Sequence, residues 1–360
     1  MAERIRVRVR KKKNKRKIIF KRIVLLFLLL IVGSGTFAGY KIFNTINAVD
    51  RTYDELERGD KSKLRENVVE INQEPFSILF VGIENYSTGG EDGHSDSLIL
   101  ATLDPKSKSM KMMSIPRDTR TEIAGQNGLT TKITHAYNYG GKEATIETVE
   151  GLLDIPIDYY ATVDFSGFKD VVNEMGGIDV DVPFDFTEKS DVSKNKSLEF
   201  TEGPMHLNGE EALAFARMRK QDPRGDFGRN DRQKQVIAAA IDQMSKPQNL
   251  SNIDNITSAA SKNIETNIRI TQALGLHRIY SGFKSENIES LTLEGSDVYL
   301  PNSSGQNVYY FEPDADKLQT LSTTLRQHLK MEGETTGTAS EKESKSEDNS
   351  TASDSSSSNS

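Results

Sequence analysis

Apolar positions fall into two kinds of run along the chain. Residues 76–83 (FSILFVGI) and 97–103 (SLILATL) are nearly continuous, which predicts strands covered on both faces, and residues 108–115 (KSMKMMSI) predict a third strand. Apolar spacing near 3.6 predicts helices over 143–153, 165–175, 209–218, 231–244, 271–283 and 313–330. Short runs at 160–163, 178–182 and 298–300 add strand, and Gly176 with Gly177 reads as a helix stop before IDVDV. Strands and helices that alternate in this way predict an α/β fold, a layered αβα sandwich around a mixed central β-sheet.

The two ends of the chain follow neither pattern. Residues 23–40 (IVLLFLLLIVGSGTFAGY) hold eighteen uncharged positions, which at helical rise span roughly 27 Å, about the thickness of a bilayer's hydrocarbon core. This predicts one N-terminal transmembrane helix acting as a retained signal-anchor. A cleavable signal peptide, with its small-residue site between Gly33 and Ala38, is the competing reading. Residues 41–74 are charged and lack a strong core pattern, which suits an extracellular stem. Residues 331–360, with ten Ser beyond position 339, bury too little apolar surface to offset ordering entropy and predict a disordered tail. The folded domain is therefore expected over 75–330.

Charge sharpens this division. Residues 1–22 carry twelve Lys or Arg and one Glu, a net of +11 that leaves −18 for the rest of a chain whose total is −7. Placed before an apolar span, such a block marks a cytoplasmic N-terminus by the positive-inside rule, so the expected protein is single-pass, type II, with its C-terminal domain outside the cell. The same block resembles a nucleic-acid-binding arm, but no reader motif accompanies it, and no nucleic-acid partner is expected. With no cysteine, disulfides and thiolate chemistry are excluded, and the five histidines lack metal-ligand spacing.

Within an acidic exported domain, clustered arginines stand out. Arg117 and Asp118 follow Pro116 at the end of the third strand, at the sheet edge where open α/β sheets bind ligands. Arg217 and Arg219 sit at a helix C-terminus. Positions two apart do not share a helix face, so both serve one ligand only if the helix has ended by Arg217; cation–dipole pairing is the plainer reading. Arg229, Asp231, Arg232 and Gln233 lie at a helix N-terminus, which already attracts anions. The stripe that follows (Val236, Ile237, Ala240, Ile241, Met244) reads as core, or else as a groove for a lipid tail. Guanidinium forks match phosphate oxygens, so the set suits a pyrophosphate. Glu84 and Asp96, at the end of the first strand and the start of the second, suit a hard cation such as Mg²⁺, or are solvated strand-end carboxylates.

The segments HSDSLILATLD, SIPRDT, KITHAYNYGG, ARMRK and FGRNDRQ, in this order across residues 76–245, resemble the LytR-CpsA-Psr family. The resemblance implies a Gram-positive cell-wall phosphotransferase. Such an enzyme moves an anionic glycopolymer, such as wall teichoic acid or capsule, from an undecaprenyl-pyrophosphate carrier to peptidoglycan at the cell membrane. It further implies Asp96 as the Mg²⁺-binding and catalytic aspartate, with Arg117 and Arg229 as catalytic partners. Arg117, Lys132, Arg217, Arg219, Arg229 and Gln233 are implied as pyrophosphate contacts, with Arg232 assigned to the same motif and Glu84 as a second metal ligand. Glu84 stands where the family more often has Asp, and His94 where Arg is frequent. Two other classes share these features: a polyprenyl-pyrophosphate hydrolase, and a membrane-bound regulator of envelope genes.

Overall fold

The computed structural model describes residues 53–84, 94–193, 195–244, 246, 248–249, 252–260, 263–280, 288–301 and 304–331. The expected cytoplasmic segment, the transmembrane helix and nearly all of the expected tail lie outside these residues. Among the described residues no helix is long and apolar enough to cross a membrane.

In chain order the strands are β1 (Phe76–Glu84), β2 (His94–Asp104), β3 (Ser109–Ile115), β4 (Arg120–Glu122), β5 (Thr130–Lys132), β6 (Tyr159–Asp164), β7 (Ile178–Val182), β8 (Phe186–Lys189), β9 (Ser197–Phe200), β10 (Gly203–Leu207), β11 (Ile264–Thr266), β12 (Ile288–Thr292), β13 (Gly295–Pro301) and β14 (Asn307–Pro313). The helices are α1 (Ala136–Leu153), α2 (Phe165–Glu174), α3 (Gly209–Arg217), α4 (Asp226–Met244), α5 (Ile253–Ala260), α6 (Ile270–Tyr280) and α7 (Ala315–His328). Six strands form the central sheet in the order β11-β6-β1-β2-β3-β12. It is mixed as expected: β1 runs parallel to β6 and β3 to β12, while β1–β2, β2–β3 and β6–β11 are antiparallel.

The continuous apolar runs are explained by burial on both faces. Leu79 and Val81 of β1, with Leu98 and Leu100 of β2, pack under Ile146, Val149 and Leu153 of α1 and Leu321 and Leu325 of α7. Their neighbours Ile78, Ile99 and Ala101 point the other way, toward Ile237 and Ile241 of α4 and Leu276 and Ile279 of α6. A strand's period of two thus feeds two helical layers. A third core, around Phe186, Phe200, Phe215, Met218 and Val236, joins α2, α3 and α4 to the small sheets. Along the α4 stripe, Val236 is buried in this core, and Ile237 and Ile241 are half-buried against the sheet.

Two expectations need correction. The part of the expected stem from residue 53 onward packs on the domain: Leu56, Val69 and Ile71 are buried. Tyr53 bridges to Thr266, Arg58 pairs with Glu150 at 2.6 Å, and Arg65 pairs with Asp158 at 2.7 Å. Charges that read as solvent-seeking in the sequence are the partners of buried carboxylates. Second, α4 begins at Asp226 rather than 231, so Arg229 lies inside its opening turns.

Candidate active site

Asp96 owes its position to a β-bulge. In the β1–β2 ladder Gly82 faces Ser97 and Ile83 faces Ser95, so Asp96 is the extra residue on β2. Regular pleating would send Asp96 and Ser97 to opposite faces; the bulge lets both line one cleft. Gly82 permits the close approach, since a Cβ there would lie 3.0 Å from the Ser97 Cβ.

Arg117 comes next, held by a turn in which the Thr119 amide and hydroxyl both donate to the Pro116 carbonyl, at 2.9 and 2.6 Å. Its Nη1 donates to Asp96 Oδ1 at 2.8 Å, and its Nε lies 3.7 Å from Asp118 Oδ2. Asp118 in turn accepts from Lys132 Nζ at 2.6 Å. The four groups alternate in charge, so no charge in this half-exposed set is left uncompensated.

On the opposite wall, α3 does end at Arg217. Met218 has φ −54° and ψ 132°, outside the helical region, and this break sends Arg217 and Arg219 into the same cleft. The Arg217 guanidinium lies 4.7 Å from the centre of the Phe165 ring at the start of α2. From α4, Arg229 and Gln233 complete the wall, and Ser97 Oγ donates to Gln233 Oε1 at 3.1 Å. The cleft encloses about 730 Å³. The structure thus brings together Asp96, Arg117, Arg217, Arg219, Arg229 and Gln233, drawn from four separate stretches.

Arg232 is placed elsewhere. It is 2% exposed and does not line the cleft. Its Nε donates to the Phe215 carbonyl at 3.0 Å, and its Nη atoms bind the Asp222 carboxylate and the Met218 carbonyl. Every face of the guanidinium is engaged, so the expected pyrophosphate contact is replaced by a structural one: Arg232 pins the turn that carries Arg217 and Arg219. Lys132 does not line the cleft either; it stands behind Arg117 through Asp118. Glu84 closes β1 opposite His94, and its side chain lies outside the described ones.

Sequence reasoning overlooked several lining residues. The β8–β9 hairpin supplies Glu188, Lys189, Ser190 and Asp191 to the rim, and Lys220 and Gln221 continue the wall past Arg219. Their stretches are polar without a motif, so only tertiary placement reveals them. Nearby, burial, followed by the charges of His94 and Lys132, pushes the His135 imidazole below its ordinary pKa.

Asp96 has the chemistry of a Mg²⁺ ligand, because that ion binds through one or two carboxylates together with substrate phosphates and water. Among the described residues no group of three or more His, Asp or Glu could hold a metal, a number that Mg²⁺ in such a site does not require.

Comparison with known proteins adds family and fold relatives. A family model described as the LytR_cpsA_psr family matches residues 39–327. The chain is 62% identical over 336 residues to the polyisoprenyl-teichoic acid–peptidoglycan teichoic acid transferase TagV of Bacillus subtilis (strain 168), covering 91% of this chain and 84% of that protein. A crystal structure of B. subtilis TagV aligns with TM-score 0.64 at 61% identity, over 72% of this chain and 98% of that one. A structure of the LytR-CPS2A-psr family protein YwtF (TagT) with bound octaprenyl pyrophosphate lipid aligns with TM-score 0.59 at 34% identity, over 77% of this chain and 99% of that one.

Proposed function

From the premise that the chain belongs to the LytR-CpsA-Psr family, we propose that it transfers an anionic glycopolymer, of the teichoic acid class, from a polyprenyl-pyrophosphate carrier to peptidoglycan. The observation that carries this reading is the convergence of Arg117, Arg217, Arg219 and Arg229 on one cleft. A pyrophosphate gains charge on its leaving oxygen during transfer, and guanidinium donors fixed in advance stabilise that charge without reorganising.

An acceptor sugar hydroxyl attacks the phosphorus that bears the glycopolymer. A new phosphodiester bond forms, the anhydride bond to the carrier breaks, and polyprenyl phosphate leaves while the hydroxyl proton passes to water. Arg217 and Arg219, which flank the helix break, straddle the pyrophosphate, and Arg229 holds it from α4. Gln233 is fixed by Ser97 and orients the same group. Arg117 contacts the phosphate from the Asp96 side and keeps that carboxylate oriented. Asp96 is the residue that would hold Mg²⁺, which when bound neutralises charge on the phosphate oxygens. The domain acts outside the cell, tethered to the membrane by the segment at 23–40.

The test uses the full chain in detergent, a synthetic lipid-linked teichoic acid precursor and peptidoglycan glycan strands, with the polymer-bearing product measured by mass spectrometry. Transfer by the wild type and a fall of about 10²-fold or more in Arg117→Ala is expected. Polymer released with a free phosphate end, whether or not acceptor is present, would instead identify a hydrolase.

A further inference from the structure

Asp96 and Arg117 meet where the β2–β3 ladder has stopped. Its last pair is Leu98 with Ile115, and the same register carried two residues further would set Asp96 opposite Arg117. On its other side, β2 has lost regular pairing at this point to the bulge between Ser95 and Ser97. The Arg117 Nη1 to Asp96 Oδ1 bond, at 2.8 Å, nevertheless requires that both segments hold still.

Thr134 spans the gap from a single 3₁₀ turn at Ile133–His135. Its hydroxyl donates to the Ser95 carbonyl at 3.0 Å, and its amide donates to the Arg117 carbonyl at 3.1 Å. One residue thus grips the backbone beside Asp96 and the backbone of Arg117 itself. The turn is anchored in its own right: Ile133 is buried in the core with Ile83, Leu98 and Ile115, and its amide donates to the Thr119 carbonyl at 2.8 Å. Ser95 Oγ returns a longer bond, 3.4 Å, to the Thr134 carbonyl. Ser95 and Thr134 are both buried, so little water competes for these bonds, and the branched threonine side chain has few rotamers in which its hydroxyl could turn away. Thr134 itself does not line the cleft.

We infer that Thr134 is a positioning residue for the transfer reaction: it takes the place of the ladder that ends at Leu98 and Ile115, and sets the Asp96 carboxylate against the Arg117 guanidinium. The inference rests on the transferase reading for the reaction, and on the bonds to Ser95 and Arg117 for the role. Thr134 acts through geometry alone. Displacing a reacting or charge-bearing group by about 1 Å costs on the order of 10²-fold in rate, and losing one of the two tethers is expected to cost about tenfold.

Steady-state transfer by the full chain in detergent, from a synthetic lipid-linked teichoic acid precursor to glycan strands, tests this with Thr134→Val and Thr134→Ser. Valine keeps the branched shape and removes the hydroxyl, whereas serine keeps the hydroxyl. Thr134→Val is expected to lower kcat by about tenfold and to leave KM for the lipid donor within about twofold, because Arg217, Arg219 and Arg229 hold that donor from the opposite wall. Thr134→Ser is expected to keep kcat within about threefold of the wild type. In an Arg117→Ala background the pair is already broken, so Thr134→Val should cost less than about twofold there, whereas a general loss of stability would add in full. Asn208→Ala, which loosens the start of α3, is the stability control and keeps kcat. Should Thr134→Val fail to melt cooperatively, Thr134→Ala removes the same hydroxyl. An unchanged kcat in the hydroxyl-free variant, a loss that serine does not restore, or an undiminished loss in the Arg117→Ala background overturns the inference. Polymer released by the wild type without transfer would sink the transferase reading; kcat for that hydrolysis, with the same dependence on the hydroxyl and on Arg117, would leave the positioning role standing.

Discussion

Arg232 shows what a motif cannot say. It lies three residues from Arg229 and one from Gln233, within the same motif, yet it is the buried member of the set. The difference arises from Asp222, which approaches only because Gly228 has no side chain; a Cβ there would collide with the carboxylate. Removing one partner of a buried pair leaves the other charge uncompensated, so Arg232→Ala is expected to cost about 3–5 kcal/mol and about 10 °C of melting temperature. A shift under about 2 °C would show that the pair is not structural. Burial alone would raise the Asp222 carboxyl, but hydrogen bonds from Arg232 and from the Arg224 amide, with the charges of both, hold it below the usual carboxylate range. A depressed folded pKa stabilises above the unfolded value near 3.8 and loses that contribution as pH falls through the folded one. Urea titrations between about pH 5 and about pH 3 should therefore show a flatter decline for Asp222→Asn than for the wild type.

At the scale of elements, the sheet and most helices were legible because their apolar period is set by burial on known faces. β1, β2, α2 and α3 were expected within a few residues of where they lie. The hairpins were less so: β8 and β9 pair through alternation over only four residues each, and of β13–β14 only residues 298–300 were expected, since β13 is exposed at five of its seven positions. The bulge at Asp96 left no trace in composition, since it is a property of the register against β1. Helix α3 is fixed at its start by a capping box, in which the Asn208 side chain accepts from the Glu211 amide at 3.0 Å and the Glu211 side chain accepts in return. Asn208→Ala is expected to cost about 1 kcal/mol, about 2–4 °C in melting temperature, since one helical donor loses its partner. Melting should report this while polyprenyl-pyrophosphate affinity stays the same, because Arg217 lies at the far end of the helix. An equal melting temperature would mean that the cap is replaced by solvent.

At the scale of the molecule, the boundary of the domain was misread because the charges at 53–74 have partners about 90 residues away. Leu56, Val69 and Ile71 close the underside of the cores. A chain beginning at residue 75 would expose Glu150 and Asp158 without Arg58 and Arg65, and is expected to melt well below one beginning at residue 53, by at least about 10 °C. Equal melting of the two would restore the stem reading for this segment. The cleft itself was half legible: its arginines carry a recognisable order, whereas the rim from β8–β9 does not. What the whole fold achieves is to bring cations from strand β3, helix α3 and helix α4 to one cleft. The most direct measurement is the dissociation constant of the full chain for polyprenyl pyrophosphate and for polyprenyl monophosphate, in the wild type and in Arg217→Ala with Arg219→Ala. Tighter binding of the pyrophosphate by the wild type, lost by about tenfold to a hundredfold in the double variant, is the expected result. Equal affinity for the two lipids, unchanged by the substitutions, would contradict it.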